Sequence, residues 1–230
     1  MILRLLFHVH TRRSLDGWIK PEQIVRFAEQ NGLGAVIVTD HHTHLGSQDC
    51  ASLSAGSVEF PLSAEYRSTA GDVVCAFLNG PVTSREPLEM IAETHAQEGI
   101  VILPHPYKGS RFADAVFEQA DVIEVFNARC SDEDNARARA TAEALGKPMI
   151  AGADAHTFAE LGLVVNEFEV PEPADWRSVL LTAPRTFRTA KTTVRTIRKS
   201  QMVKATRQMR PVKFAKNLIR WMQASPDQTP

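Results

Sequence analysis

Two histidines, His8 and His10, follow the first apolar stretch of the chain and are two residues apart. Residues 2–7 carry five large apolar side chains, a pattern that predicts a short buried strand. Side chains alternate between the two faces of a strand, so we expect both imidazoles to lie on the same face. Two neutral imidazoles that converge on one point supply half of the ligands of a divalent metal site. The question is therefore whether the rest of the chain supplies the other half.

Further histidines and carboxylates follow other apolar stretches that predict strands. The predicted strand ends carry His8 and His10, Asp40 and His41, Glu65, His105, Glu124 and Asn127, and Asp154 and His156. Apolar strand, polar cluster and helix alternate along the chain, which favours βαβ units and a parallel sheet. In a parallel barrel the carboxyl ends of the strands share one rim, where active sites lie. The pattern therefore predicts that these side chains surround a single cavity.

Taken one at a time, these residues also have purely structural explanations. Asp40 could cap a turn, and His105 could belong to a tight turn between two prolines. His156 could donate a hydrogen bond to a backbone carbonyl. Taken together, imidazoles and carboxylates are the ligands that divalent Zn, Mn or Fe ions prefer. The set therefore favours a metal site, with Glu65 best placed to bridge two ions.

The periodicity of apolar residues predicts the other elements of the chain. We expect strands at 35–39, 57–64, 72–78, 100–103, 122–127 and 148–151, and one more at 163–170. We expect helices at 21–31, 84–97, 112–119, 132–145 and 173–182, and a loop at 45–56. These elements together predict an α/β fold.

Composition limits the classes of protein to which the chain can belong. With 230 residues, 43% of them hydrophobic, the chain is long enough for one domain with an appendage. No stretch approaches the ~20 consecutive apolar residues of a transmembrane helix, and the apolar start is too short for a signal peptide. The three cysteines, Cys50, Cys75 and Cys130, are far apart, so we expect no disulfide framework and a cytoplasmic location.

Charge divides the chain into an acidic body and a basic tail. Residues 185–220 contain 12 Lys and Arg and no acid, so residues 185–230 carry a net charge of +11, against −12 for residues 1–184. We therefore expect a domain at 1–184 and an amphipathic helical tail at 185–230, interrupted at Pro211. The tail could pack on the body with its charges in water. It could also bind an anionic membrane surface, nucleic acid or an acidic partner.

The ordered set of motifs resembles the PHP family, named for polymerase and histidinol phosphatase. The similar segments, within residues 3–165, are His8-x-His10, Ser14-Leu15-Asp16-Gly17, Thr39-Asp40-His41-His42-Thr43, Ala64-Glu65, Leu103-Pro104-His105-Pro106, Ile123-Glu124-Val125-Phe126-Asn127 and Ala151-Gly152-Ala153-Asp154-Ala155-His156. The resemblance implies a distorted (β/α)7 TIM-like barrel that binds two or three divalent metal ions. The expected fold is thus an α/β barrel with a basic helical C-terminal tail.

The resemblance also implies which residues bind the metals. His8, His10, Glu65 and Asp154 would hold one ion, Glu65 and His105 a second, and Asp16, His41 and His156 a third. Asp40 would orient a ligand imidazole. The second set lacks a histidine that is common in the family, and Asp72 or Cys75 could replace it. We expect water or substrate to complete that site.

The implied function is that of a metal-dependent phosphoesterase. Glu65, Asp154 and His156 are the candidate catalytic residues for hydrolysis of a phosphomonoester or phosphodiester by a metal-activated hydroxide at a di- or trinuclear site. Arg12, Arg13, Arg67 and Lys108 lie just past predicted strand ends and are best placed to bind phosphate oxygens. The substrate would be a small phosphorylated molecule or an oligonucleotide.

Two other functions stay open at the level of sequence. An amidohydrolase-type metal barrel also carries His-x-His on its first strand and would attack a C–N or ester bond. A metal-binding module without activity is the second alternative. The clusters Asp40-His41 and Asp154-x-His156, together with Glu65, favour the phosphoesterase. The substrate, the identity of the metal and the oligomeric state do not follow from the sequence.

Overall fold

The computed structural model describes residues 1–172 and 175–230, which form nine strands and eight α-helices. The strands are β1 (Ile2–Val9), β2 (Ala35–Val38), β3 (Ser63–Arg67), β4 (Asp72–Ala76), β5 (Ile100–Leu103), β6 (Val122–Asn127), β7 (Met149–Gly152), β8 (Val164–Glu169) and β9 (Arg185–Thr189). The helices are α1 (Pro21–Gln30), α2 (Leu45–Leu53), α3 (Pro87–His95), α4 (Asp114–Gln119), α5 (Asp132–Leu145), α6 (Trp176–Thr182), α7 (Val194–Arg207) and α8 (Pro211–Gln223).

The strands form two sheets, with the orders β2-β1-β8-β9 and β3-β4-β5-β6-β7. β1 and β2 are parallel, as are β5, β6 and β7, whereas β4 and β8 are antiparallel to their neighbours. A turn at 68–71 joins β3 to β4 and is too short for a parallel crossover, so the expectation of uniformly parallel strands is wrong. The mixed α/β class is confirmed.

Single bridges connect the two sheets near the ends of their strands. Val9 bridges to Ala155, and His41 bridges to Glu65. Within the described residues, no continuous hydrogen-bonded ladder closes the sheets into a barrel. The expected distorted (β/α)7 TIM-like barrel is therefore not confirmed.

A core between the two sheets explains why most strands are apolar on both faces. Side chains from seven strands meet there, including Leu5, Phe7, Ile37, Val74, Ile102, Val122, Ile150 and Phe168. The opposite faces pack in two further clusters, for example Leu6 and Val36 beside Ile24 of α1. Strands buried on both faces need continuous apolar runs, which is the pattern that identified them in the sequence.

Three predicted elements differ from the structure. The expected loop at 45–56 contains α2, and the strand expected at 57–64 begins only at Ser63. Val58 and Phe60 gave the apolar signal for an earlier start, but they fill the core from an extended connection. The helix expected at 173–182 is described as α6 from Trp176 onward, and its first two residues, 173 and 174, lie outside the described residues.

The basic tail contains one strand and a pair of helices. β9 is antiparallel to β8 and continues the first sheet, although residue 185 was predicted to begin the tail. α7 and α8 pack against each other, and Pro211 begins α8 as expected. The division into domains at 1–184 and 185–230 stays a prediction. Among the described residues, no helix is both long and apolar enough to span a bilayer.

Candidate metal centre

A bulge near the end of β1 aims His8 into the centre of the molecule. His8 has a left-handed backbone with φ 65°, and the register of β1 with β2 shifts between Phe7 and Val9. Bulges of this kind redirect a side chain and are common beside functional sites. His10 lies just after the strand. The two imidazoles therefore converge through a local distortion, where regular alternation along a strand was expected.

Glu65 and Asp154 bring their carboxylates to these imidazoles. Glu65 Oε1 lies 3.6 Å from His8 Nε2, and Glu65 Oε2 lies 3.4 Å from His10 Nε2. Asp154 Oδ1 lies 3.7 Å from His8 Nε2 and 3.4 Å from His10 Nε2. Two ligands about 2.1 Å from a tetrahedral metal ion are about 3.4 Å apart, so these separations match a metal site better than direct hydrogen bonds. The first predicted ligand set is thus brought together.

His105 and Asp72 lie on another side of Glu65. His105 Nε2 is 3.3 Å from Glu65 Oε1. Candidate ligand atoms of Glu65, Asp72 and His105 all lie within 4.8 Å of one another. Cys75 faces the other side of β4, in the core against the helices, and burial raises the pKa of its thiol to about 12. Strand alternation therefore places Asp72, and not Cys75, beside the second set.

Asp16, His41 and His156 form a third group next to the first. Asp16 Oδ1 lies 3.6 Å from His41 Nε2 and 3.5 Å from His156 Nε2. Candidate ligand atoms of His10, His41 and His156 also lie within 4.8 Å of one another, so His10 is shared between the two groups. Lys204 of α7 donates a hydrogen bond to the other oxygen, Asp16 Oδ2, at 2.6 Å. All eight predicted ligands are therefore clustered.

Hydrogen bonds at Nδ1 fix the tautomers of two histidines. His8 Nδ1 donates to Glu124 Oε1 at 2.9 Å, and His156 Nδ1 donates to the carbonyl oxygen of Asp154 at 2.8 Å. Gly152 leaves the space that the first bond needs, because a Cβ there would collide with Glu124 and His8. With Nδ1 protonated, the Nε2 lone pair of each ring is directed at the cluster and can bind a metal.

Ser14 and Asp40 fix His10 in the same tautomer. Ser14 Oγ donates its one proton to Asp40 Oδ1 at 2.8 Å, so His10 Nδ1, 3.2 Å from Ser14 Oγ, acts as the donor. Asp40 also accepts hydrogen bonds from the backbone and the side chain of Thr11. Asp40 therefore orients a ligand imidazole through Ser14, without touching the ring itself.

The charges of the cluster favour the metal-binding protonation states of Glu65, Asp154 and His10, but they favour a proton on His8. Burial would raise the pKa values of Glu65 and Asp154, but His8 and the other imidazoles outweigh it and hold both pKa values well below the usual range. Burial lowers the pKa of His10 to about 3, so this imidazole is neutral at pH 7. Burial would also lower the pKa of His8, but Glu124 and its neighbouring carboxylates raise it. A proton and a metal therefore compete for His8.

Several buried ligand atoms of the centre have no hydrogen-bond partner among the described residues. They are His8 Nε2, His10 Nε2, Asp16 Oδ1 and both Glu65 carboxylate oxygens. An unpartnered buried polar atom costs about 1–3 kcal/mol, so a cluster of them indicates a missing ligand. Imidazole nitrogens and carboxylate oxygens are the donors that Zn, Mn and Fe accept. The residues present therefore fit divalent metal ions.

A cavity of about 620 Å³ opens onto this centre. Lys108 lines the cavity with its Nζ 3.6 Å from Asp154 Oδ2, which suits a contact with substrate. The other predicted phosphate-binding residues do not line it. Arg13 and Arg67 pair with neighbouring carboxylates, and Arg12 is exposed on the surface. A contact of these three arginines with substrate stays a prediction.

The sequence indicated no place in the site for Arg129 or Lys204, and it placed Glu124 at the cavity without a specific role. Glu124 is the third residue of β6, and its signal was a carboxylate within an apolar strand. Arg129 is 7% exposed and donates two hydrogen bonds to Glu160, at 2.8 and 3.0 Å. Glu160 in turn accepts a hydrogen bond from the backbone of His156. No local sequence pattern indicates that Arg129 and Glu160 hold the backbone of His156 in place.

Two segments of the chain match models of known protein families. The PHP domain model matches residues 7–99, and the PHP-associated model matches residues 132–183. The uncharacterized protein MJ1587 of Methanocaldococcus jannaschii is 31% identical over 136 residues, which cover 53% of this chain and 80% of that protein.

Solved structures with low sequence identity share the fold. One is a two-domain protein from Bacteroides vulgatus that contains a predicted PHP-like metal-dependent phosphoesterase. It matches with a TM-score of 0.70 at 16% identity, over 87% of this chain and 69% of that chain. The lesion-specific endonuclease PfuEndoQ from Pyrococcus furiosus matches with a TM-score of 0.56 at 16% identity, over 81% of this chain and 58% of that chain. The chain therefore belongs to the PHP family.

Proposed function

We propose that this protein hydrolyses a phosphomonoester or phosphodiester at the metal centre built around Glu65. The observation that carries the proposal is the group of buried imidazole and carboxylate atoms without hydrogen-bond partners, at the wall of a cavity rich in Lys and Arg. Ligands for metal cations and contacts for phosphate oxygens thus meet in one place. Membership of the PHP family supports the same class of reaction.

The proposed ligand sets follow the three groups of the centre. His8, His10, Glu65 and Asp154 would hold one ion, Glu65, His105 and Asp72 a second, and Asp16, His41 and His156 a third. Two such ions, when bound, lower the pKa of water and polarise a phosphoryl oxygen. Glu65 is the ligand that two sets share.

Residues of the chain would position both the ligands and the substrate. Glu124 holds the ring of His8 from outside the cluster. Glu65, Asp154 and His156, which belong to the ligand sets and line the cavity, are the proposed catalytic residues. Lys108 Nζ, at the cavity wall beside Asp154, would donate a hydrogen bond to a phosphate oxygen.

We also interpret the two sheets as parts of one opened β/α barrel. The bridges Val9–Ala155 and His41–Glu65 lie next to the proposed ligands. In this interpretation the carboxyl ends of the parallel strands form one rim, where active sites of such barrels lie. This geometry would explain why ligands from distant parts of the chain meet.

A panel of chromogenic esters tests the proposed reaction. Protein stripped with a chelator and reloaded with Zn²⁺ or Mn²⁺ is expected to release p-nitrophenol from p-nitrophenyl phosphate or from bis(p-nitrophenyl) phosphate. We expect only background hydrolysis of p-nitrophenyl acetate and of a p-nitroanilide. Hydrolysis of the acetate or anilide alone would support amidohydrolase chemistry. Metal-loaded protein that cleaves none of the four compounds would support a non-catalytic metal-binding module.

Replacing Asp72 by Ala is expected to weaken the binding of one metal ion by at least about tenfold, because the second set loses one of its three side chains. Cys75→Ala, three residues along the same strand but on its other face, is the control and should leave metal binding unchanged. Calorimetric titration of chelator-stripped protein measures both. Unchanged binding in Asp72→Ala, or an equal loss in Cys75→Ala, would show that Asp72 is not a ligand.

A further inference from the structure

The C-terminal helices form one wall of the cavity, and the ligand sets give this wall no role. α8 contributes Lys213, Lys216 and Arg220, which we call the α8 stripe. These residues recur at i, i+3 and i+7, so they lie on one face of the helix. The stripe lies outside both segments that match the family models, residues 7–99 and 132–183.

A groove between α7 and α8 lies on a different face of α8 from the stripe. Phe214, Leu218 and Trp221 line a separate groove together with Met202 and Val203 of α7. α8 therefore presents Phe214, Leu218 and Trp221 to the groove beside α7 and the stripe to the cavity.

Contacts of α7 with the body anchor this pair of helices. Lys204 donates to Asp16 Oδ2 at 2.6 Å, and Ser200 accepts a hydrogen bond from Arg129 at 3.1 Å. Arg207 donates to the carbonyl oxygen of Ser14 at 2.6 Å. Because α7 is attached beside the proposed third ligand set, α8 and its stripe are held over the cavity.

The cavity wall carries more positive charge than its carboxylates can balance. Seven Lys and Arg side chains line it, against the four carboxylates of Asp16, Glu65, Asp72 and Asp154. Within the described residues, Lys108, Arg129 and Lys204 form ion pairs with carboxylates, whereas no residue of the α8 stripe does. Each divalent ion bound at the centre would add two more positive charges. The excess positive charge of the cavity wall therefore favours binding of a ligand with several negative charges.

We propose that the α8 stripe binds a second phosphate group of the substrate, so that the protein acts on multiply phosphorylated molecules; this rests on the phosphoesterase function proposed above. One phosphate would lie at the metal centre and another at the stripe. Lys and Arg side chains bind phosphate oxygens through charge-assisted hydrogen bonds. The cavity volume of about 620 Å³ is in the range of small-ligand sites, roughly 300–1,000 Å³. That size suits a small bisphosphate or the end of a single-stranded oligonucleotide.

Binding of ligands that cannot be hydrolysed tests the stripe in the metal-loaded protein. Hexylphosphonic acid and hexane-1,6-diyl bisphosphonic acid form one pair, with one and two phosphonate groups. The methylenephosphonate analogues of thymidine 5′-phosphate and of 5′-phosphorylated dithymidylate form a second pair. The test variant is Lys216→Gln/Arg220→Gln. The matched control is Lys199→Gln/Arg210→Gln, which removes the same two charge types from exposed positions that do not line the cavity.

In the test variant, the affinity for the two-phosphonate ligand of at least one pair is expected to fall by roughly tenfold or more. The affinity for the one-phosphonate ligand of that pair is expected to fall by less than about twofold. In the control variant, the affinity for each of the four ligands should change by no more than about twofold. The pair whose two-phosphonate ligand loses affinity shows whether the distance between the metal centre and the stripe fits a nucleotide chain or a compact bisphosphate. Equal losses for one and two phosphonates, no loss at all, or the same loss in the control would overturn the proposal.

This experiment also separates the two proposals, because binding of phosphonates requires no turnover. Failure of the phosphoesterase proposal would appear in the ester panel, as absence of phosphoester hydrolysis by the metal-loaded protein. Failure of the stripe proposal would appear differently. The metal-loaded protein would hydrolyse p-nitrophenyl phosphate, but replacing Lys216 and Arg220 would not selectively weaken its binding of the two-phosphonate ligands.

Discussion

Replacing Glu65 by Gln is expected to reduce kcat/KM for a phosphoester by roughly 1,000-fold or more and to remove at least one metal ion per chain. Glu65 is 1% exposed, and its two oxygens lie 3.3 to 3.6 Å from the Nε2 atoms of His8, His10 and His105. Glutamine keeps the size of the side chain but has one acceptor oxygen and no charge. It therefore cannot serve two ions at once.

Steady-state kinetics and elemental analysis of the same sample measure both effects of Glu65→Gln. Glu133→Gln is the matched control, because it makes the same chemical change at an exposed position of α5. We expect this control to keep the activity and metal content of the unmodified protein. If Glu65→Gln also kept both, the shared carboxylate at the core of the proposed centre would be ruled out.

Replacing Arg129 by Met is expected to lower the free energy of unfolding by about 3–5 kcal/mol. Arg129 is 7% exposed and donates two hydrogen bonds to Glu160, which is 1% exposed. Methionine keeps an unbranched apolar side chain but leaves the Glu160 carboxylate buried without a counter-charge. Urea unfolding of the metal-free protein measures the change without a contribution from bound ions.

The surface pair of Arg13 and Asp49 provides the control for this substitution. Their side chains are 43% and 32% exposed, so Arg13→Met should cost no more than about 1 kcal/mol. If the free energy of unfolding fell by a similar amount in the two variants, the buried Arg129–Glu160 pair would stabilise the fold no more than a surface pair.

The stability difference between the native protein and Arg129→Met should depend on pH. Burial would raise the pKa of Glu160, but the charge and hydrogen bonds of Arg129 outweigh it and lower that pKa. A carboxyl group with a lowered pKa in the folded state stabilises the fold above its ordinary pKa of about 4.3. The contribution is lost as the pH falls through the lowered value. We therefore expect the difference to shrink below about pH 4, and a constant difference from pH 7 to pH 3 would contradict this.

The sequence could predict which histidines and carboxylates cluster, because their positions depend on local order along the chain. His105 and Asp154 directly follow apolar runs that form the buried strands β5 and β7. Neighbouring parallel strands bring their carboxyl ends together, so residues at those ends meet. The bulge at His8 did not follow from the sequence, because it depends on how β1 pairs with β2.

Contacts between distant parts of the chain could not be predicted in this way. Lys204 meets Asp16 across 188 residues, and no local pattern marks either residue as the partner of the other. The basic periodicity of the tail was visible, but a charged helix face is compatible with solvent as well as with a cavity. Only the packing of α8 against α7 shows that the stripe faces the metal centre.

The central claim is that the side chains around Glu65 bind the metal ions on which phosphoester hydrolysis depends. The most direct test titrates chelator-stripped protein with Mn²⁺ or Zn²⁺ while following phosphoester hydrolysis and the metal bound per chain. We expect no turnover without metal and a rise that saturates when two or three ions are bound. Turnover that is independent of added metal, or metal binding that saturates without any phosphoester hydrolysis, would contradict the claim.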